Sequence, residues 1–381
     1  MPFSVISWIA FSFLAWGRNL WDMTKPSEKN QTASKFSVLG LVFAILGLAL
    51  FAYFIKKAGL GDILAGIRRL GFGFVLIIAI SSIRQTVRSL AWTKCFEEPY
   101  RLRFIHALQA RLMGDALGNV IPLASVAVSE PSKAVFVRDR VPLMAALAAL
   151  ALENIFYSLS VILVIVSGTT ALLLSFSLPK PLRIASTIAL IVAALVAPLG
   201  YFVIHKQWRF ISGLLSRLHR RGFARARLEG AIPRAQMLED RIYGFYSRNR
   251  GRLLPIFLLE LCFHGAGVAE IYVTLSFISD IVAPTILTAF ILESVNRVIN
   301  VTFKFVPLRT GVDEAGTGML SKVLGFSTAI GVTLAIVRKA RDIFWTTVGI
   351  ALIVRKGLSL RSLTSGASEI TGEVPSSSGA T

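Results

Sequence analysis

Six largely apolar runs constrain what this chain can fold into: Phe36–Ile55, Phe72–Cys95, Val141–Gly168, Ile184–Ile204, Leu253–Ser279 and Phe326–Ile353. Each reaches or exceeds the roughly 20 residues that a helix needs to cross a bilayer. Every backbone amide in hydrocarbon must find its partner within the protein, so such segments are α-helices. Two further apolar segments, 104–122 and 284–307, are interrupted by Pro122 and Pro307. Broken backbone is tolerated at depth only where protein or a wet cavity covers it. These two segments therefore predict re-entrant hairpins, near 104–140 and 284–325. The expected fold is an all-α polytopic integral membrane protein, with about six full transmembrane helices plus two re-entrant or broken helical hairpins.

Composition agrees. With 54% hydrophobic and 16% charged residues, and a mean hydropathy of +0.67, the chain is far from the balance of a soluble domain. A net charge of +20 in a soluble protein would raise nucleic acid as a partner. Here the cytoplasmic bias of basic loops and the pull of anionic lipid explain it, and no finger, RRM or basic-zipper pattern occurs. Cys95 and Cys262 stand far apart in the sequence and indicate neither a disulfide framework nor a metal site. Residues 2–16 are apolar but short, with no cleavage motif after them, so 1–35 reads as a cytoplasmic or interfacial segment. Residues 36–355 form the transmembrane domain, and 356–381, rich in Ser, Gly and Thr, reads as a disordered cytoplasmic tail.

Orientation follows from the basic loops. The connection 205–252 carries 12 Lys and Arg against Glu229, Glu239 and Asp240, which places it in the cytoplasm. Trp208, Phe210, Ile211, Leu214, Leu215 and Leu218 alternate with its cations, as in an amphipathic element lying on the anionic inner leaflet. A cytoplasmic lipid-biosynthetic enzyme is the other partner this surface admits. Counting outward puts both termini inside, together with Arg101, Arg103, Arg138, Arg140, Arg355 and Lys356. Lys56, Lys57, Arg68 and Arg69 fall outside, as do Lys180 and Arg183; the first group sits in an interfacial amphipathic stretch that can snorkel.

Charged residues persist at bilayer depth, where each costs roughly 2.5–3.5 kcal/mol on insertion scales. Arg338, Lys339, Arg341 and Asp342 occupy the middle of the last apolar run. Arg84 and Arg88 are four apart and share a helix face; Arg297 and Lys304 lie in the second hairpin. Guanidinium forks suit phosphate, so these cations with Asp115, Glu130, Glu153, Glu260, Glu270 and Glu314 form the expected binding and translocation set. The competing reading is structural: Glu293, Asp342 and the other acids neutralise the cations as buried ion pairs. Glu130 and Glu314 each follow a break and either cap the next half-helix or gate it. His264, with Glu260 and Glu270 on the same run, either relays protons or makes an interhelical hydrogen bond.

The two broken segments align with one another. Pro122 matches Pro307, Glu130 matches Glu314, and Glu153 matches Arg338. Three full spans separate them, so the first hairpin enters from the cytoplasm and the second from outside. That is the pattern of inverted-topology repeats, in which paired interrupted segments build a site at the midplane.

Asn119-Val-Ile-Pro-Leu with Ser129-Glu130, the downstream Glu153, and Val306-Pro-Leu with Gly311-Val-Asp-Glu314 and Arg338 carry a resemblance. They resemble the lysylphosphatidylglycerol synthase transmembrane-region family, the flippase-like domain of bacterial multiple-peptide-resistance proteins, over about residues 36–355. Two departures stand out. Family members often place Gly-Glu directly after the first Pro, whereas Ser129-Glu130 lies further on, and Glu153 is followed by Asn154 rather than a base. Nothing after residue 355 resembles the soluble aminoacyl-transfer domain of the bifunctional proteins, so the resemblance implies the lipid-moving half without aminoacyl-lipid synthesis. The expected function is a membrane lipid translocase handling a phospholipid or lipid-linked headgroup in a prokaryotic cytoplasmic membrane. Its alternatives are a lipid-modifying transferase using Glu130 and Glu314, or an accessory subunit of a lipid-biosynthetic complex. No Walker A, GxSxG, HExxH, CxxC or DxD pattern occurs, so neither catalytic residue, cofactor nor metal is expected, and no feature assigns an oligomeric state.

Overall fold

In a computed structural model, the described residues are 53, 56, 60–120, 125–205, 209–220, 225–279, 282–303, 306 and 309–356. The expected span at 36–55, save Tyr53, and the tail lie outside them, as do Pro122, Lys304 and Pro307. Among the described residues there are 12 α-helices and no strand. They are α1 (Leu60–Leu70), α2 (Gly73–Lys94), α3 (Phe104–Val120), α4 (Ser125–Val135), α5 (Leu143–Ser175) and α6 (Lys180–His205). The second half holds α7 (Phe210–Arg220), α8 (Arg225–Arg248), α9 (Arg250–Ile278), α10 (Ile286–Thr302), α11 (Val312–Val323) and α12 (Thr328–Arg355).

Three of these, α2, α5 and α9, are long and apolar enough to cross a membrane. Two more apolar runs became α6, of 26 residues, and α12, of 28 residues. At 1.5 Å per residue both exceed a hydrocarbon core of roughly 30 Å. α5 runs for 33 residues, seven beyond the expected end of its apolar run, because Thr169–Ser175 offers no breaker before the extended Phe176.

Local chemistry sets the helix ends. Thr285 and Thr288 form a reciprocal capping box at the start of α10, and the Ser327 hydroxyl accepts from the Ile330 N–H at the start of α12. Between α10 and α11, Arg309 (φ 50°) and Gly311 (φ 82°) take left-handed conformations that turn the chain back. A helix pair thus stands at each expected hairpin: α3 packs along α4, and α10 packs on α11. The two sets correspond in length, with 17 residues in both α3 and α10, and 11 and 12 in α4 and α11.

The core divides into two apolar clusters. One gathers Trp92, Met113, Leu150, Phe156, Ile256 and Ile353, with Leu238 and Phe245 of α8. The other gathers Ile77, Leu172, Leu275, Leu292, Leu320 and Leu334. α2 and α12 run from the second cluster to the first, whereas α5 and α9 run the other way. The core residues of α3 and α4 fall only in the first cluster, those of α10 and α11 only in the second. Packing crosses between the halves: α2 lies along α9, α3 along α12, and α10 along α5. Asn119 donates to Thr346 at 2.8 Å across α3–α12, and Ser294 donates to the Val164 carbonyl at 2.9 Å across α10–α5.

Small residues allow these crossings. Lipid tails are as apolar as Leu, so helices in a membrane associate through close packing of Gly, Ala and Ser. A Cβ on Gly349 would sit 2.2 Å from the Leu112 carbonyl oxygen, and one on Gly168 would sit 2.2 Å from Ser294 Cβ. Gly349→Ala is expected to lower stability by about 1–3 kcal/mol through overpacking against backbone that cannot yield. Gly213→Ala, with nothing within 4 Å of the new methyl, is expected to gain about 0.5–1 kcal/mol. Thermal unfolding in detergent separates the two; equal midpoints would reject the α3–α12 contact.

The connection 205–252 is helical. Amphipathic α7 packs on α8, and the buried Glu239 accepts from the Ser212 N–H (3.3 Å) and hydroxyl (2.6 Å). Arg248 binds Glu97 at 3.0 Å and ties α8 to the loop after α2.

Candidate functional site

Between the two apolar clusters lies a layer of ionised side chains. On α2, Arg84 and Arg88 stand between Ile77 and Trp92; on α9, Glu260, His264 and Glu270 stand between Ile256 and Ile271. α12 contributes Arg338, Lys339, Arg341 and Asp342 between Val337 and Ile353. Apart from Arg338, the charged groups of this layer are each close to a group of opposite sign or an aromatic face, which stabilises them at depth.

The first set centres on Glu153, which is 0% exposed. Its Oε1 accepts from Arg88 Nε (2.9 Å) and Arg111 Nη2 (2.9 Å). Arg88 Nε also lies 3.7 Å from Glu260, and its guanidinium carbon is 4.0 Å from the Tyr157 ring centre. Asn154 donates to Glu130 at 3.0 Å, and Lys133, also buried, joins Glu130 at 2.7 Å to Asp115 at 2.8 Å.

The second set centres on Glu270, 2% exposed, which accepts from Arg84 Nη1 (3.1 Å) and pairs with Arg341. Arg341 also binds Asp342 at 2.7 Å. Arg309 then joins Asp342 (3.7 Å) to Asp313 (3.4 Å). Glu293 pairs with Arg297 one turn on, and His264 hydrogen-bonds Ser160 at 3.1 Å with its other nitrogen 3.9 Å from Glu293. Phe263 packs its ring 4.4 Å from Arg84 and 5.1 Å from Arg297.

Arg338 differs. It is 5% exposed, and its Nη2 donates to the Thr317 hydroxyl at 2.7 Å. Its Nε and Nη1 have no hydrogen-bond partner, and among the described residues no carboxylate lies within 4.0 Å of it. A guanidinium has five N–H donors in a fixed fork, and two of the three nitrogens of Arg338 donate to nothing among the described residues.

The candidate residues that the structure describes fall into these two sets, the Glu293–Arg297 and Glu314–Lys339 pairs, and Arg338; Lys304 lies outside the described residues. Of the two roles left open for it, Glu314 takes the cap: third in α11, it accepts from the Gly311 N–H at 2.8 Å and pairs with Lys339. Glu130 does not cap. It is the sixth residue of α4, beyond reach of the free N–H groups of the first turn, and binds Lys133 and Asn154 instead. His264 makes the interhelical hydrogen bond. Arg111 and Lys133 escaped the sequence reading because Asp115 four residues on and Glu130 three residues back suggest local surface pairs. Their burial among the apolar residues around Met113 and Ala134 was the available signal.

A separate cavity of about 380 Å³ opens at the joint of α2 and α9, lined by Lys94, Tyr100, Arg101 and Arg252 among others. It lies at the end of the first apolar cluster, beside Phe96 and Leu102, and not within the charged layer.

No curated protein and no solved structure matches the chain. A family model described as the lysylphosphatidylglycerol synthase TM region matches residues 37–349, a range that takes in both helix pairs and the whole charged layer. With apolar helices long enough to span a bilayer, this is an integral membrane protein with a lipid-related role, and it belongs to the lysylphosphatidylglycerol synthase TM region family.

Proposed function

We propose that this protein is a translocase that moves a phospholipid or lipid-linked headgroup across a prokaryotic cytoplasmic membrane. The observation that carries the reading is Arg338, a buried guanidinium with two idle nitrogens inside an otherwise ion-paired layer. An anionic headgroup supplies the acceptors that Arg338 lacks, while the acyl chains stay in lipid. Neighbouring cations assist, because a phosphate oxygen can replace the carboxylate oxygens now held by Arg84 and Arg341.

The architecture we assign is six full spans and two hairpins in inverted repeats. Supporting it, α3–α4 and α10–α11 belong to opposite apolar clusters, and α3 and α10 pack reciprocally on α12 and α5. Glu153 is the eleventh residue of α5 and Arg338 the eleventh of α12, which keeps the register of the sequence alignment. Basic α7 and α8 sit at the first cluster's end, which we assign to the cytoplasm together with both termini. The cavity beside Lys94, Arg101 and Arg252 then offers an anionic headgroup a docking place at the inner surface. Movement without modification fits Glu130 and Glu314, since each is tied to a lysine and a hydrogen-bond donor and neither is free to act as a base.

The test is reconstitution into liposomes carrying a fluorescent phospholipid, with quencher added outside. Transbilayer movement is expected with the unaltered protein and should fall with Arg338→Gln. No acceleration over protein-free liposomes, or a new covalent lipid product by mass spectrometry, would reject the assignment.

A further inference from the structure

The cavity at the joint of α2 and α9 stands apart from the charged layer and has an unbalanced charge of its own. Its lining holds three cations, Lys94, Arg101 and Arg252, against one acid, Glu98, an excess of two positive charges. Arg101 takes that acid at 2.6 Å. Among the described residues no carboxylate lies within 4.0 Å of Lys94 or Arg252. Arg252 Nη1 donates to the Phe96 carbonyl at 3.1 Å, which holds the guanidinium in the cavity wall. A space of about 380 Å³ falls in the range of small-ligand pockets.

Helix α9 adds to the excess. It starts at this cavity, with Gly251 and Arg252 of its first turn in the lining. A helix N-terminus is the positive end of the helix and carries free N–H groups. Asn249 gives no side-chain cap, and the first turn holds no acid. Gly251 keeps the space clear, since a Cβ there would have nothing within 4 Å. The apolar side of the site comes from the same helix. Gly251, Pro255, Leu258, Cys262 and Gly265 recur every three or four residues on one exposed face of α9. Leu254 flanks that face at 63% exposure. The face carries no charge from the cavity to Gly265, which adjoins His264 of the charged layer. A ligand with its phosphate in the cavity can lay hydrocarbon along Leu254 and Leu258, a surface that a water-soluble phosphate does not use.

We propose that this cavity is a selective site for an anionic phospholipid, whose phosphodiester meets Lys94 and Arg252 while its acyl chains lie on α9. The selectivity follows from the missing acid. An ethanolamine or choline headgroup brings a cation to a pocket whose one carboxylate is already bound by Arg101, so zwitterionic lipids are disfavoured. The binding site stands without the transport reading; that the bound lipid is also the one moved rests on that reading.

Displacement of a fluorescent phosphatidylglycerol from the purified full-length protein in neutral detergent micelles tests the site. Unlabelled phosphatidylglycerol is expected to displace it at least tenfold more effectively than phosphatidylcholine or phosphatidylethanolamine. The Lys94→Gln/Arg252→Gln double variant should bind at least tenfold more weakly and lose the preference. Lys94→Gln alone, at an exposed helix end, should bind at least threefold more weakly and keeps the test open if the double variant does not fold. Arg103→Gln removes an exposed cation just beyond the lining and should change nothing. Equal displacement by the three lipids, a preference that survives the double variant, or the same loss in Arg103→Gln would overturn the site. Displacement by glycerol 3-phosphate as effective as by the lipid would make the ligand a soluble phosphate and overturn the lipid. In the liposome assay, phosphatidylglycerol movement should fall at least threefold in the double variant at low mole fraction and recover at high. Selective binding with no lipid movement by the unaltered protein overturns the transport reading alone; lipid movement with unselective binding overturns the site alone.

Discussion

Glu270→Ala is expected to be among the most destabilising single changes in the charged layer. Glu270 is the shared partner of Arg84 and Arg341, and at 2% exposure it has almost no water to replace it. Its removal leaves two guanidinium groups close together, without their common counter-charge, on α2 and α12. Breaking a buried ion pair by deleting one partner costs about 3–5 kcal/mol, and here two pairs break together. A total stability of roughly 5–15 kcal/mol leaves little margin for that loss. Arg84→Ala should be milder, about 1.5–3 kcal/mol, because Glu270 keeps Arg341 as its partner. Thermal unfolding in detergent, followed by tryptophan fluorescence, orders the variants. A Glu270→Ala midpoint equal to that of the unaltered protein would mean that water or lipid already reaches this layer, contrary to its burial.

How much of this was legible in the sequence depends on how far apart the interacting groups stand. The helices α2, α5, α6, α9 and α12 begin within four residues of the apolar runs, because run length is a property of the local sequence. The helix pairs at both broken segments were legible for the same reason. Capping was legible for Glu314 only as one of two open roles, which the Gly311 N–H it accepts from decides. The same two roles stood open for Glu130, because nothing in Ser-Glu-Pro-Ser fixes where a helix starts, and there the side chain binds Lys133 and Asn154.

The pairing of charges was illegible. Arg84 and Arg88 do share one face of α2, yet they bind different acids, Glu270 and Glu153, in opposite halves of the chain. Spacing gives the face and says nothing of the partner, which depends on how α2 lies against α5 and α9. Local acids also mislead. Asp115 stands at the right spacing to take Arg111, but that guanidinium turns across the bundle to Glu153, where it closes a fully buried pair. The sequence therefore presented both readings of the layer as alternatives, structural pairs and substrate ligands. The geometry sorts them residue by residue, with Arg84, Arg88, Arg111, Arg297 and Arg341 paired and Arg338 left over.

That remainder leads to the second large effect. Arg338→Gln is expected to slow lipid movement roughly ten- to a hundredfold while leaving stability unchanged or slightly higher. Hydrogen bonds to a charged group are each worth about 1.5–3 kcal/mol, and 1.4 kcal/mol corresponds to a factor of 10, which sets the range. Stability should not fall, because the guanidinium has two unsatisfied nitrogens at 5% exposure and only Thr317 loses a partner. Arg341→Gln makes the contrast: it strips Glu270 and Asp342 together, so activity and the unfolding midpoint should drop in parallel. A purely structural Arg338 would behave like Arg341, losing both. A ligand for the headgroup loses activity alone. If Arg338→Gln reconstitutes with a normal midpoint and moves lipid at the unaltered rate, the idle nitrogens are not where the phosphate binds, and the translocase reading loses the residue on which it rests.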